Sequence, residues 1–311
     1  MNRRRFLQEA ALWSLTFSLV LQWPFTCNGN RAKAQVAPAR LPRARVGIAR
    51  GKNYADLVRR SVTLIGGMQA FVRPGARVVI KPNIGWDRSP EQGANTHPLV
   101  VRTLAEMALE AGARQVRIFD RPCNEARRCY THSGILPAIE ALNSGKVRCE
   151  YIDRRKFVET PIPRGRVLKS WSIYRDALEA DCYINVPVAK HHGLAGLTLG
   201  LKNSMGVLGG NRGRLHHKLD QNLADLATVI RPSLTVIDAT RLLLRNGPSG
   251  GDLRDVRIED TVLASADPVA ADACATLLFG RDPDDLGSSV AAANMGLGTL
   301  RLSQIQRLEG P

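Results

Sequence analysis

Short apolar runs alternate with longer amphipathic ones along most of this chain. Residues 45–50 (RVGIAR) predict a short strand, and residues 54–71 carry apolar positions at helical spacing, weakened by Gly66 and Gly67. Residues 77–81 (RVVIK) form the near-continuous apolar run of a buried strand, and Pro82 stops it. Pro98 opens a helix over 98–110, and Gly112 follows its end. A strand over 115–120, a helix over 135–142 and a strand over 148–152 come next. Residues 153–175 read as irregular chain or a short hairpin. A strong strand over 181–186 ends at Pro187, and a helix over 219–230 leads to a strand over 234–238. After a strand over 256–264, Asp267 and Pro268 supply the cap and first turn of a helix running to Phe279. This rhythm predicts an α/β fold, a mainly parallel sheet flanked by helices in Rossmann-like layers. No repeat of fixed period is present.

The N-terminus changes the picture. Arg3 and Arg4 form a twin-arginine pair ahead of Phe6 and Leu7, and a moderately apolar stretch follows. Ser14, Thr16, Ser18 and Gln22 make that stretch a poor permanent span, and Ala32-Lys33-Ala34 offers a cleavage site. Residues 1–34 therefore read as a twin-arginine signal peptide, with an uncleaved anchor as the alternative. The expected address is the periplasm, reached through the twin-arginine export machinery. Residues 35–44 read as a linker and 45–305 as a single α/β domain.

Charge and cysteine content narrow the partners. The chain carries a formal charge of +16. Loss of residues 1–34 removes Arg3, Arg4, Arg5, Arg31, Lys33 and one acid, Glu9, leaving +12. Such a balance suits a small anionic molecule or an anionic envelope surface. Nucleic acid is not expected, because aromatics are 5% of the chain and export removes it from that partner. No C-x-x-C pair occurs among the six cysteines, so there is no iron–sulfur cysteine motif. Cys123 and Cys129 are close enough in sequence to form a disulfide in an oxidising compartment, while Cys182 and Cys274 sit in apolar runs.

Candidate chemistry gathers at predicted strand ends, where open α/β sheets place their sites. These ends carry Lys81 with Asn83, then Asp120, then Lys190 with His191, and finally Asp238. Thr96 and His97 stand at a helix start, where backbone N–H groups favour an anion and Thr96 equally suits a plain cap. Between residues 188 and 218, four of the six histidines, three lysines and seven glycines crowd together. Lys202 and Asn203 lie in the middle of that segment, and His216 lies downstream. Glycines admit a ligand close to the backbone, and Lys and His supply charge or protons. The histidines also offer metal-ligand chemistry. Adjacent histidines usually point apart, however, and no carboxylate is fixed beside them, so a metal is left unassigned. Residues 209–213 match neither the P-loop nor the dinucleotide fingerprint, so no cofactor is specified.

Lys81-Pro82-Asn83, Thr96-His97-Pro98, the block from Lys202 to Gly206 with His216, and the block from Asp260 to Asp272 together resemble the domain-of-unknown-function family 362 (DUF362). The resemblance spans about residues 46–300. Some members of that family carry a fused ferredoxin-like module, and this chain lacks its cysteines. The resemblance brings no assigned activity with it. The residues themselves favour an enzyme performing acid–base or redox chemistry on a small anion. Lys81, Lys190 and Lys202 would hold charge, and His191 or His216 would move protons. Two other readings stand beside it, a noncatalytic periplasmic binding protein for an anion or metal, and a partner or maturation protein.

Overall fold

The computed structural model describes residues 44–310. The expected export signal and all but the last residue of the expected linker lie outside them. The described chain folds around a ten-stranded sheet. Its central strands are β1 (Ala44–Arg50), β2 (Arg77–Pro82), β3 (Gln115–Ile118), β4 (Val147–Cys149), β7 (Cys182–Val186), β10 (Leu234–Leu243), β11 (Val256–Ser265) and β12 (Ile305–Glu309). Their spatial order is β12-β1-β11-β10-β7-β2-β3-β4. Strands β10, β7, β2, β3 and β4 run parallel, and β11 is antiparallel to both of its neighbours. The sheet is thus mixed and mostly parallel, as the alternation of elements predicts. A separate hairpin pairs β5 (Phe157–Pro161) with β6 (Ser170–Tyr174), within the stretch expected to be irregular or a short hairpin.

Alternate residues of each central strand feed two cores. Val78, Ile80, Val116, Ile118, Leu234 and Val236 face one layer, containing α1 (Tyr54–Thr63), α2 (Pro98–Glu110) and α4 (Ile135–Glu140). The other layer holds α7 (Leu219–Leu226), α8 (Pro268–Thr276) and α9 (Gly287–Ala293), packed on Val79, Tyr183, Ile237 and Leu263 through further apolar clusters. Burial on both faces explains why the strands read as unbroken apolar runs. Each large apolar side chain so buried contributes roughly 1.5–3 kcal/mol.

Several expected boundaries move. Helix α1 stops at Thr63, because Gly66 and Gly67 take φ of 119° and 77°, and only a 3-10 turn (Met68–Ala70) follows. Helix α7 ends at Leu226, and β10 runs five residues beyond the expected end at Asp238. Helix α3 (Ala126–His132) and strand β12 were not anticipated. Cys123 is exposed and Cys129 is buried, and both thiols are free, so the disulfide that their spacing allows is not formed.

The unanticipated element that matters most is β8 (Val188–His192). Pro187 ends the pairing of β7, but the chain continues beside β10, with Asp238 opposite Val188 and Leu243 opposite Lys190. A short strand β9 (Gly196–Thr198) folds back on it, with Lys190 opposite Thr198. This arrangement carries Lys190 and His192 beyond the carboxyl end of β2.

Candidate functional site

The register of β2 on β7 sets Lys81 opposite Asn185 at the carboxyl edge of the sheet. Lys81 is 1% exposed, and its Nζ lies 2.9 Å from Asp120 Oδ1 and donates to Asn203 Oδ1 at 2.8 Å. Asp120 follows β3 and accepts further bonds from the Ile84 and Arg121 backbone N–H groups, at 2.7 and 2.9 Å. A buried lysine is tolerated because it is paired and hydrogen-bonded. Burial still lowers its pKa, opposed by Asp120.

Asn203 organises the centre. Its Oδ1 accepts from Lys81 and from Asn83 Nδ2, and its Nδ2 donates to Lys81 O and Asn185 Oδ1. All four hydrogen-bonding positions of the amide are used. Asn203 and Lys202 sit on α6 (Gly200–Asn203), a single turn. Asp272 of α8 holds that turn by accepting from the Gly200 and Leu201 N–H groups at 2.6 and 3.1 Å. Burial pushes the Asp272 carboxyl up to about 7 against those two bonds.

Among the described residues Lys190 has no carboxylate partner. Its Nζ donates to Ala94 O at 2.5 Å, Pro248 O at 3.0 Å and Asn83 Oδ1 at 3.2 Å. Three acceptors match the three hydrogens of an ammonium. Burial acts the other way and draws its pKa down to about 7. Lys202 differs from both. Among the described residues it has no hydrogen-bond or ion-pair partner. Burial, with Arg212 and Lys81 adding repulsion, lowers it to about 8.

These groups line a cavity of about 80 Å³, together with Cys123, Arg121, Arg212, His192 and Thr198. Five cationic side chains and one carboxylate, Asp120, border it. Thr198 Oγ1 is buried there without a hydrogen-bond partner among the described residues. His192 accepts from the Leu194 and Ala195 N–H groups at Nδ1, at 3.1 and 3.2 Å. That assigns its proton to Nε2. Burial, then Lys202 and Lys190, push its pKa down to about 3, so the ring is a neutral donor.

Six residues chosen from sequence therefore meet at one cavity: Lys81, Asn83, Asp120, Lys190, Lys202 and Asn203. The others do not line it. Thr96 Oγ1 ties Asn83 N to Val186 O and so braces the loop after β2. His97 is the N-cap of α2, its ring packed edge-on against Tyr54 at 4.9 Å. Asp238 accepts from His97 N at 2.6 Å and from Thr240. His191 points away from the cavity, with Nδ1 accepting from Gly247 N. His216 is half-buried and stacks on the His192 ring at 6.2 Å. Among the described residues no three His, Cys, Asp or Glu side chains gather as a metal site. His192 was the histidine to choose. Reading 188–192 as a strand puts it on the same face as Lys190, two residues away.

Fold and site together define a mostly parallel α/β protein with a cationic pocket at the carboxyl edge of its sheet. A model of the family described as "Domain of unknown function (DUF362)" matches residues 78–276, a span that includes all of the pocket lysines, and the chain belongs to that family. A thylakoid-associated protein of Synechocystis sp. is 29% identical over 241 residues, covering 75% of this chain and 72% of that protein. The lactate racemase apoprotein from Thermoanaerobacterium thermosaccharolyticum superposes with a TM-score of 0.45 at 13% identity, covering 75% of this chain and 55% of that one. A protein from Thermotoga maritima gives 0.44 at 10% identity, covering 77% of this chain and 59% of its own. The chain thus spans little more than half the length of these two structures.

Proposed function

We propose that this protein binds a small organic anion, a carboxylate or phosphate, in the lysine pocket and performs acid–base chemistry on it. The observation that carries the reading is Lys202, a cation facing the cavity with no partner among the described residues. The orphaned Thr198 hydroxyl beside it supports the same conclusion, since buried polar groups are normally paired. Lys81 and Lys190 have settled partners and supply mainly positive field. Lys202 and the His192 Nε2–H remain free to touch the ligand. A lysine drawn down to about 8 is suited to exchange a proton near neutrality.

The test is titration calorimetry with inorganic phosphate, acetate and malonate. Lys202→Ala should weaken binding at least tenfold and leave the melting temperature within a few degrees, because the Lys202 side chain has no partner among the described residues. The ammonium is the anion-binding form, so affinity should fall as pH rises through about 8. A variant that melts early yet keeps its anion affinity shows a structural lysine and overturns the reading. Binding with no exchange of ligand protons into deuterated solvent would favour a noncatalytic binding protein.

We further propose that residues 1–34 direct twin-arginine export and that the protein works in the periplasm. The Arg3-Arg4 pair, the interrupted apolar stretch and Ala32-Lys33-Ala34 support this.

A further inference from the structure

A second cleft, of about 910 Å³, adjoins the lysine pocket. The two share Asp120, Arg121, Cys123 and Arg212 as a common wall. Beyond that wall the larger cleft is bordered by Tyr151, Phe157 and Arg154. Its charge is one-sided. Among the described residues the Arg121 guanidinium donates only to the Leu208 and Gly210 carbonyls, at 2.7 and 3.0 Å. Arg212 bonds the carbonyls of Arg121, Met205 and Pro122, with Cys123 Sγ at 4.0 Å. Arg154 has neither a carboxylate nor a side-chain hydrogen bond among the described residues. Arg121 feels both neighbours, since burial first and then Arg212 and Arg154 lower its pKa. The one carboxylate on this wall, Asp120, is already paired with Lys81. Guanidinium groups without acids are matched by carboxylate or phosphate oxygens. The aromatic wall asks for something else. Tyr151 is 45% exposed, its ring tilted against Tyr130 at 4.8 Å, and Phe157 lies in the same cleft. An exposed aromatic of this kind offers a face to an aryl or apolar group.

We propose that the ligand of the lysine pocket continues past Cys123 into this cleft and carries a second anionic group there. The ligand is then an elongated molecule with an acid group at each end and an aromatic or apolar middle. One acid faces Lys202, the middle lies over Tyr151 and Phe157, and the other acid meets Arg154 and Arg121. This inference rests on the anion-binding reading of the lysine pocket.

Two probe series test it by calorimetry on the full chain. One is inorganic phosphate, phenyl phosphate and 4-carboxyphenyl phosphate. The other is acetate, phenylacetate and 1,4-phenylenediacetate. In at least one series the aryl compound with two acid groups should bind ten times more tightly than the aryl compound with one. Arg154→Ala should abolish that gain and leave the one-acid compound unchanged. The Arg154 side chain has no partner among the described residues, so this variant should melt as the wild type does. Lys202→Ala should weaken every member. The inference is overturned if the second acid adds no affinity in either series, or if Arg154→Ala weakens the one-acid and two-acid compounds alike. If phosphate and acetate bind but the two-acid compounds gain nothing, only this inference falls. If phosphate and acetate do not bind, the lysine-pocket reading fails and takes this one with it.

Discussion

Gly206 shows how closely the site is packed. A Cβ at this position would lie 1.8 Å from Asp120 Oδ1 and 2.4 Å from Lys81 Cε. Its carbonyl meanwhile accepts from Arg121 N at 3.1 Å, so the backbone is held from the other side as well. Neither Asp120 nor Lys81 can retreat without leaving a buried charge unpaired. Gly206→Ala should therefore lower stability by about 1–3 kcal/mol through overpacking. It should also weaken anion binding, because the Lys81–Asp120 pair must shift. Urea unfolding and calorimetry with phosphate check both effects. An unchanged urea midpoint would show that the turn moves aside freely.

At the scale of elements, one turn of helix does most of the positioning. Helix α6 has four residues and too few internal bonds to hold itself. Asp272 at its start and Asn185, which donates to Gly200 O at 2.8 Å, fix it from α8 and β7. Asp272→Ala strands two buried N–H groups, and a loss of about 2–4 kcal/mol is expected in urea unfolding. The pH dependence has a definite sign. A carboxyl raised to about 7 in the folded state favours folding most below its unfolded value near 4, and that contribution is lost as pH rises through 7. The gap between wild type and variant should therefore narrow from pH 5 to pH 8. A gap that widens would show that the carboxylate form is the one the fold prefers.

At the scale of the whole molecule, charge and address belong together. The chain carries +16, and +12 would remain after residues 1–34 are removed. A protein of that charge, with a pocket bordered by five cations, would attract anions in any compartment. The export proposal decides which anions it meets. Replacing Arg3 and Arg4 together by lysine keeps the charge but removes the pair that, on the export proposal, the export machinery reads. Cell fractionation should then find the protein in the cytoplasm. Periplasmic accumulation at the wild-type level would refute the routing.

What the sequence determined by itself was the layered α/β class and the lysines. Apolar runs such as 77–81 and 181–186 are decided locally, by period and by the prolines that stop them, so β2 and β7 were legible. The caps of α2 and α8 were legible for the same reason, since Pro98 and Asp267 act on neighbouring residues. Lys81, Lys190 and Lys202 stood out because buried-type strands and glycine-rich turns seldom carry them without a purpose. The tertiary structure decided which polar groups share a cavity. That depends on strand register and on β8 continuing past Pro187 beside β10. Until 188–192 is read as a strand, nothing separates His191 from His192, and the pairing of β8 with β10 and β9 is what turns His192 inward with Lys190. Thr96, His97 and Asp238 look like ligand groups until the fold supplies them with backbone partners. Asp272 looks like an ordinary helix residue until α6 is laid against it. Hydrogen bonds between segments about 70 to 140 residues apart leave no local pattern, so only the folded chain reveals them.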